Sequence, residues 1–123
     1  MINISKTKTP MPELSPEVRS ATFEEAATGY TEEMAIREAM RCLNCRKHPC
    51  MSKGCPVHND IPAFLEKTAQ ADFEAAYQIL CKTTCLPAVC GRVCPQYVQC
   101  EGKCVSSAIC LQGVRRSTPA IGR

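Results

Sequence analysis

Eleven cysteines occur among 123 residues, and eight of them form two runs that each contain a Cys-Pro pair. The runs are Cys42-x2-Cys45-x4-Cys50-x4-Cys55-Pro56 and Cys90-x3-Cys94-Pro95-x4-Cys100-x3-Cys104. Thiolates are well suited to soft metal centres, and a Cys-Pro pair that closes a tight cysteine run is typical of iron–sulfur ligation. The two runs therefore predict an iron–sulfur site.

A disulfide framework is the competing interpretation of so many cysteines. Residues 1–17 contain no apolar run of the kind that a signal peptide needs, and no stretch of about 18 apolar residues could cross a membrane. We therefore expect a cytoplasmic protein, in which thiols stay reduced, and the odd number of cysteines also fits poorly with complete pairing. Metal binding is favoured over disulfides.

The formal net charge of +3 comes from scattered Lys and Arg residues, not from a basic stripe interleaved with aromatic side chains. We expect neither nucleic acid nor a membrane as a partner. Three Phe, three Tyr and no Trp leave few large side chains for a hydrophobic core. A metal centre would compensate for that small core.

Zinc and iron–sulfur clusters would use these cysteines differently. A structural zinc site normally takes two close cysteine pairs, and only Cys42-x2-Cys45 resembles such a pair before the cysteines continue as a string. A zinc-stabilised interaction module without a redox role remains the alternative. In bacterial ferredoxins, by contrast, the cysteine before proline ligates the other of two clusters.

That crossing rule divides the cysteines into two interleaved sets. The first three cysteines of the first run would hold one cluster, and the last cysteine of each run would cross to the cluster of the other run. The first set is then Cys42, Cys45, Cys50 and Cys104, and the second set is Cys55, Cys94 and Cys100.

Helices must position these cysteines. Ser15-Pro16-Glu17 predicts the start of a helix that runs to about Ala27, after a flexible arm over residues 1–16. Thr31 is expected to cap a helix that delivers Cys42 and Cys45 at its C-terminal end.

The segment between the two runs predicts a helical hairpin. Asp60 and Asp72 are good caps for two helices with apolar residues on one face, separated from the first helices by a non-periodic loop over residues 46–59. A helical turn is expected near 88–93, followed by a second irregular loop. Because no segment shows the period-two alternation of a strand, the predicted class is all-α with two cluster-binding loops.

Other residues in these segments are predicted to have structural roles. Tyr77 should pack in the apolar stripe of the hairpin, and His48 and His58 should be surface or outer residues, not ligands, since the cysteines suffice. The three cysteines outside the runs are expected to be small apolar fillers. They are Cys81, Cys85 and Cys110.

Three strings of the sequence resemble one family, the N-terminal iron–sulfur domain shared by the small (beta) subunit of NADPH-dependent glutamate synthase and by dihydropyrimidine dehydrogenase. The resemblance extends from about Pro16 to Arg123. The strings are Glu38-Ala39-Met40-Arg41-Cys42-Leu43-Asn44-Cys45, Gly54-Cys55-Pro56-Val57 with Asn59-Asp60-Ile61-Pro62, and Cys90-Gly91-Arg92-Val93-Cys94-Pro95-Gln96 with Gln99-Cys100-Glu101-Gly102-Lys103-Cys104.

The resemblance implies an α-helical ferredoxin-like domain over residues 17–123 with two 4Fe-4S clusters and the two ligand sets given above. Two departures stand out. The family has three residues between the third and fourth cysteines of the first run, whereas Met51-Ser52-Lys53-Gly54 supplies four. The family's fourth ligand to the second cluster is a side chain just past the stretch matching Ile121-Gly122-Arg123. Three alternatives follow: that ligand is missing here, Cys90 takes its place although its equivalent is normally not a ligand in the family, or the second cluster is labile.

By resemblance, the domain relays electrons between a flavin reduced by NAD(P)H and a second redox centre. Its partners would be a flavin and NAD(P)H-binding domain that follows in the parent chain, and a large subunit or other redox protein. FAD and NADPH would bind only to that full-length parent, since no G-x-G-x-x-G fingerprint occurs here. We expect an excised domain of a glutamate synthase-like, NADPH-dependent oxidoreductase that is not catalytically complete alone, with amide hydrogen bonds to sulfur near Gly91 and Gly102.

Overall fold

The computed structural model of the chain describes residues 7–106, which form five short α-helices and two further single turns, one wider and one tighter than an α-helix. Within these residues no strand occurs, and an isolated bridge pairs Glu13 with Ala27, so the predicted all-α class is confirmed. The α-helices are α1 Pro16–Ala21, α2 Glu32–Ala39, α3 Ile61–Ala69, α4 Phe73–Cys81 and α5 Pro87–Val93. The two turns are a π-helical turn at Cys50–Gly54 and a 3-10 turn at Glu101–Lys103.

Local caps determine where four helices begin. Each cap side chain accepts a hydrogen bond from a backbone N–H of the first turn, which satisfies a donor that the helix itself cannot. The caps are Ser15, Thr31, Asp60 and Asp72, which bond the N–H groups of Val18, Met34, Ala63 and Ala75. These four helix starts agree with the prediction.

The predicted end of the first helix is wrong. α1 ends at Ala21 instead of about Ala27, because residues 26–28 pair with residues 12–14. The N–H of Leu14 donates to the Ala26 carbonyl at 2.8 Å, and the N–H of Thr28 donates to the Pro12 carbonyl at 2.9 Å. These bonds require extended backbone, which a continuous helix would not allow.

Helix α3 is the central element of the described residues. It packs against both α2 and α4, and it also contacts the π-helical turn. The core around it is small. Ala39 and Ala76 are the buried hydrophobic residues among residues 7–106, and no large side chain there is fully buried. Tyr77 is 50% exposed, so the prediction that it packs in the core was wrong.

Part of the predicted N-terminal arm contacts the helices. Thr9 is buried, its N–H donates to the Glu38 carboxylate at 2.8 Å, and its carbonyl accepts from the Tyr30 hydroxyl. Lys8 forms an ion pair with Glu101 at 2.8 Å. Residues 8 and 9 therefore connect α2 to the 3-10 turn, while the proposed division of the chain at residues 16 and 17 stays a prediction.

None of the helices in the described part of the chain is long and apolar enough to span a membrane.

Candidate metal centre

Four cysteines from three segments meet at the C-terminal end of α2. Their thiols line one small cavity of about 20 Å³. The four are Cys42, just after α2; Cys45, three residues later; Cys50, the first residue of the π-helical turn; and Cys104, just after the 3-10 turn. The structure therefore brings together the four residues of the predicted first set.

Burial and mutual charge act on the thiols of this set. Burial raises the pKa of Cys42, and the charges of Cys104 and Cys45 raise it further. Burial likewise raises the pKa of Cys50, with added contributions from Cys104 and Cys42. Thiolates crowded in this way repel one another, and a bound cation would relieve that repulsion.

The charges of the predicted second set also influence one another. Burial raises the pKa of Cys100, and the nearby charges of Cys94 and Cys55 contribute to the same shift. Cys55 follows the π-helical turn, Cys94 follows α5, and Cys100 precedes the 3-10 turn. The charge effects therefore link members of each predicted set, and the assignment of the two ligand sets stays a prediction.

The π-helical turn explains how two successive cysteines reach different sets. The N–H of Cys55 donates to the carbonyl of Cys50 at 2.8 Å, so the bond closes over five residues instead of the four of an α-helix. The sequence analysis placed this stretch in an irregular loop, and that prediction was wrong. The wider turn accommodates the four residues between Cys50 and Cys55, where the resembled family has three.

Gly54 allows the two cysteine runs to approach each other. A Cβ atom at this buried glycine would lie 2.6 Å from the Cα of Cys100 and 3.0 Å from the Gln99 carbonyl oxygen. The π-helical turn and the 3-10 turn pack together at this point. The close backbone contact therefore joins the segment between Cys50 and Cys55 to the segment that carries Cys100 and Cys104.

Backbone amides donate to four of the thiols. The N–H groups of Asn44, Met51 and Glu101 bond Cys42, Cys50 and Cys100 and oppose the rise in their pKa. The N–H of Asn59 lies 3.4 Å from the sulfur of Cys55. Of these donors only Glu101 neighbours a glycine named in the sequence analysis, and the carbonyl of Gly91 instead accepts from the Gln96 side chain at 3.2 Å.

Left-handed backbone conformations shape these turns. Asn44, His48 and His58 have φ values of 44°, 39° and 52°. Asn and His tolerate this region better than most residues, so their presence between the cysteines was a signal for tight turns that sequence reasoning did not use. His58 also contacts the Met51 carbonyl through Nδ1 at 3.1 Å. His48 borders the cavity of the first set.

A buried ion pair adjoins both sets, and sequence reasoning missed it. Arg41 is 8% exposed and pairs with Glu38. Both side chains border a cavity of about 170 Å³ that cysteines of the two sets also line. Those cysteines are Cys42, Cys50 and Cys104 of the first set and Cys100 of the second. The Arg41 guanidinium thus borders the cavity where anionic centres are expected, with its charge balanced by Glu38.

The remaining cysteines lie apart from the two groups. Cys90 is half-buried on α5, one turn before Cys94. Cys81 and Cys85 are exposed, so their predicted role as apolar fillers was wrong. Cys110 lies outside the described residues. Among residues 7–106, no three His, Cys, Asp or Glu side chains are close enough to hold one metal ion.

The fold and the site define an all-α domain whose thiols, assisted by backbone amides, suit the ligation of iron–sulfur clusters. The family described as dihydropyrimidine dehydrogenase domain II, 4Fe-4S cluster, matches residues 19–118. The chain belongs to this family, which confirms the resemblance found in the sequence. It is therefore an iron–sulfur domain of the kind found in oxidoreductases, and such a domain implies electron transfer.

Several curated proteins are similar over most of this chain. The small chain of NADPH-dependent glutamate synthase from Azospirillum brasilense is 37% identical over 106 residues, which are 85% of this chain and 22% of that protein. The corresponding small chain from Halomonas elongata is 42% identical over 94 residues, or 76% of this chain and 20% of that protein. The dihydropyrimidine dehydrogenase subunit PreT, an NAD-dependent protein of Salmonella typhimurium, is 37% identical over 87 residues, or 71% of this chain and 21% of that protein. This chain thus spans about a fifth of the length of these relatives.

Proposed function

We propose that this domain carries two 4Fe-4S clusters. Cys42, Cys45, Cys50 and Cys104 would bind the first, and Cys55, Cys94 and Cys100 would bind the second. The observation that supports this assignment best is the cavity bordered by Cys42, Cys45, Cys50 and Cys104, four cysteines that the crossing pattern of two-cluster ferredoxins assigns to one cluster.

Cys90 is our proposed ligand for the fourth position of the second cluster. Cys90 lies in the middle of α5, one helical turn before Cys94. The resembled family fills this position with a side chain that follows the stretch matching Ile121-Gly122-Arg123, so the assignment of Cys90 differs from the family pattern. The test is a Cys90→Ser variant, which should lose iron from the second site if Cys90 is a ligand and retain it if the ligand lies elsewhere.

The proposed role is to relay electrons between a flavin reduced by NAD(P)H and a redox centre on a partner domain or subunit. The nicotinamide part of this proposal is supported by the names of two relatives, an NADPH glutamate synthase small chain and an NAD-dependent dihydropyrimidine dehydrogenase subunit. Bound clusters of this type accept and release single electrons. The residues of this chain hold the sulfur ligands, exclude water and direct N–H groups at sulfur. Because the two thiol sets adjoin at Gly54 and Cys100, electrons would pass between neighbouring centres within the domain.

Anaerobic purification tests this function directly. The expected product is brown, absorbs broadly in the visible range, bleaches with dithionite and contains about eight iron atoms per chain, the number in two such clusters. A colourless protein loaded with zinc would refute the redox role and support a zinc-stabilised interaction module instead. Four iron atoms in a dithionite-reducible protein would refute the second cluster alone.

A further inference from the structure

The side-chain amide of Asn59 is held in place by hydrogen bonds to Thr83 and Thr84. We call these three residues the clamp. The Asn59 Nδ2 donates to the Thr84 hydroxyl at 3.0 Å, and the Thr84 hydroxyl lies 3.2 Å from Oδ1, to which it can donate. The Thr83 hydroxyl donates to the same Oδ1. Thr84 is 6% exposed, so the central contact of the clamp is shielded from water.

The backbone of Asn59 is the part of the clamp that faces sulfur. Its N–H lies 3.4 Å from Cys55 Sγ, and its carbonyl accepts from the Ile61 N–H at 2.8 Å. Residues 55–60 belong to no helix, so no ladder of backbone bonds fixes this peptide. The preceding residue, His58, has the unfavourable φ of 52° that turns the Asn59 N–H back toward Cys55. The side-chain bonds to Thr83 and Thr84 supply the restraint that the local backbone lacks.

We propose that Asn59, Thr83 and Thr84 are positioning residues that set the reduction potential of the second cluster through the Asn59 N–H to Cys55 bond. This inference rests on the proposed role of Cys55 as a ligand of that cluster. An N–H bond to a ligating sulfur stabilises the more negative, reduced state and so raises the potential. The segment just after α4, 24 to 25 residues away in sequence, would then tune a centre that it does not ligate.

The decisive variant is Thr84→Val, which keeps the shape of the side chain and removes its hydroxyl. We expect the second cluster of the anaerobically purified protein to become harder to reduce, by about tenfold in its equilibrium constant, equivalent to about 59 mV for one electron. The first cluster should keep its potential. Thr84→Ser, which restores the hydroxyl, should restore the potential of the second cluster.

Thr68→Val is the matched control. Thr68 is a half-buried threonine of α3 whose hydroxyl bonds the Phe64 carbonyl at 2.9 Å, remote in sequence from both cysteine runs, and its loss should leave both potentials unchanged. The measurement is a potentiometric titration followed by electron paramagnetic resonance, which separates the two clusters. An unchanged second potential in Thr84→Val, or a Thr84→Ser variant that behaves like Thr84→Val, would overturn the proposal.

If Thr84→Val loses the second cluster, Thr83→Val still tests whether the clamp sets the potential. Thr83 is exposed, so Thr83→Val removes one bond of the clamp with little effect on packing. A lower second potential in that variant supports the clamp, and an unchanged one refutes it. If the unmodified protein shows no second titrating cluster at all, the proposed second cluster is refuted before any variant is compared.

Discussion

The Cα of Cys100 lies 2.6 Å from the point where a Cβ atom of Gly54 would stand, closer than side-chain carbon and backbone can approach. Gly54 ends the π-helical turn, and Cys100 immediately precedes the 3-10 turn. The first cysteine run contributes Cys55 just beyond this contact. The absence of a side chain at one position thus allows the two cysteine runs to share one site.

Gly54→Ala should separate the two runs. The added methyl group collides with backbone, which cannot rotate away as a flexible side chain could, and overpacking of this kind costs about 1–3 kcal/mol. We expect a large loss of iron, with the second set affected most because Cys55 adjoins Gly54 and Cys100 is the residue displaced. Iron analysis and visible absorption of the anaerobically purified variant would measure the loss.

Gly91→Ala is the control for that experiment. A Cβ atom at Gly91 would meet nothing within 4 Å, and the residue lies in α5, where alanine is favoured over glycine. Iron content should stay at the level of the unmodified protein. Equal iron content in Gly54→Ala and Gly91→Ala would contradict the role given to the close contact.

Serine substitutions should separate the two ligand sets. Cys104→Ser removes a member of the first group of thiols, and Cys100→Ser removes a member of the second, although only three residues separate Cys100 and Cys104 in the second run. Each variant should lose about four of about eight iron atoms, and each should retain the spectrum of the other cluster.

The exposed Cys81 offers the control for these variants, because Cys81→Ser changes a thiol that belongs to neither group. It should keep its full iron content. The crossing assignment would be wrong if Cys104→Ser lost both clusters in equal measure and Cys100→Ser gave the same spectrum.

Local signals made much of the fold predictable. Thr31, Asp60 and Asp72 begin helices because each cap acts on N–H groups only three residues away, so a short window of sequence contains the whole interaction. The spacing of cysteines and prolines also follows a known crossing pattern, and the two ligand sets that it predicts stay a prediction.

Non-local contacts account for what could not be predicted. The π-helical turn packs against the 3-10 turn, and Asn59 depends on Thr83 and Thr84 from the far end of the helical hairpin. The exposure of Tyr77 has the same origin, because an apolar stripe becomes core only where another element covers it. Sequence periodicity identifies the stripe without showing whether a cover exists.

Ala71→Gly should stabilise the protein. Ala71 follows α3 with a φ of 60°, and the N–H of Asp72 donates to the Lys67 carbonyl at 3.0 Å, a helix end at which glycine is the favoured residue. The left-handed conformation costs alanine about 1–2 kcal/mol, and the greater chain entropy of glycine offsets about 0.5–1 kcal/mol of that gain. We expect a net increase of about 0.5–1 kcal/mol in the free energy of unfolding.

Thermal unfolding under anaerobic conditions would measure this gain as a higher midpoint. The comparison variant is Ala75→Gly, which places the same change inside α4 and should lower stability by about 1 kcal/mol. If both substitutions shift the midpoint in the same direction, the strain assigned to Ala71 is refuted.

The pH dependence of thiol alkylation should reveal the buried state of Cys50 in the metal-free protein. Burial raises its pKa above the ordinary value of 9.0, and the charges of Cys104 and Cys42 act in the same direction. Alkylation proceeds through the thiolate, so the midpoint of its rate against pH should lie above 9.0 in the folded protein and return toward 9.0 in urea. Peptide mass spectrometry after timed alkylation would follow Cys50 alone.

The raised pKa of Cys50 also determines whether the free energy of unfolding rises or falls with pH. A thiol whose pKa is higher in the folded state holds its proton there more tightly, so its contribution to stability is complete below the unfolded pKa and is lost as the pH rises through the folded pKa. The metal-free protein should therefore unfold at lower urea concentration as the pH increases above about 9, with smaller dependence in a Cys50→Ser variant. Two results would contradict the burial of Cys50. One is a pH midpoint of alkylation in the folded protein at or below the midpoint measured in urea. The other is a urea concentration at half-unfolding that increases over this pH range. Bound metal should abolish the effect, because ligating thiols have already lost their protons.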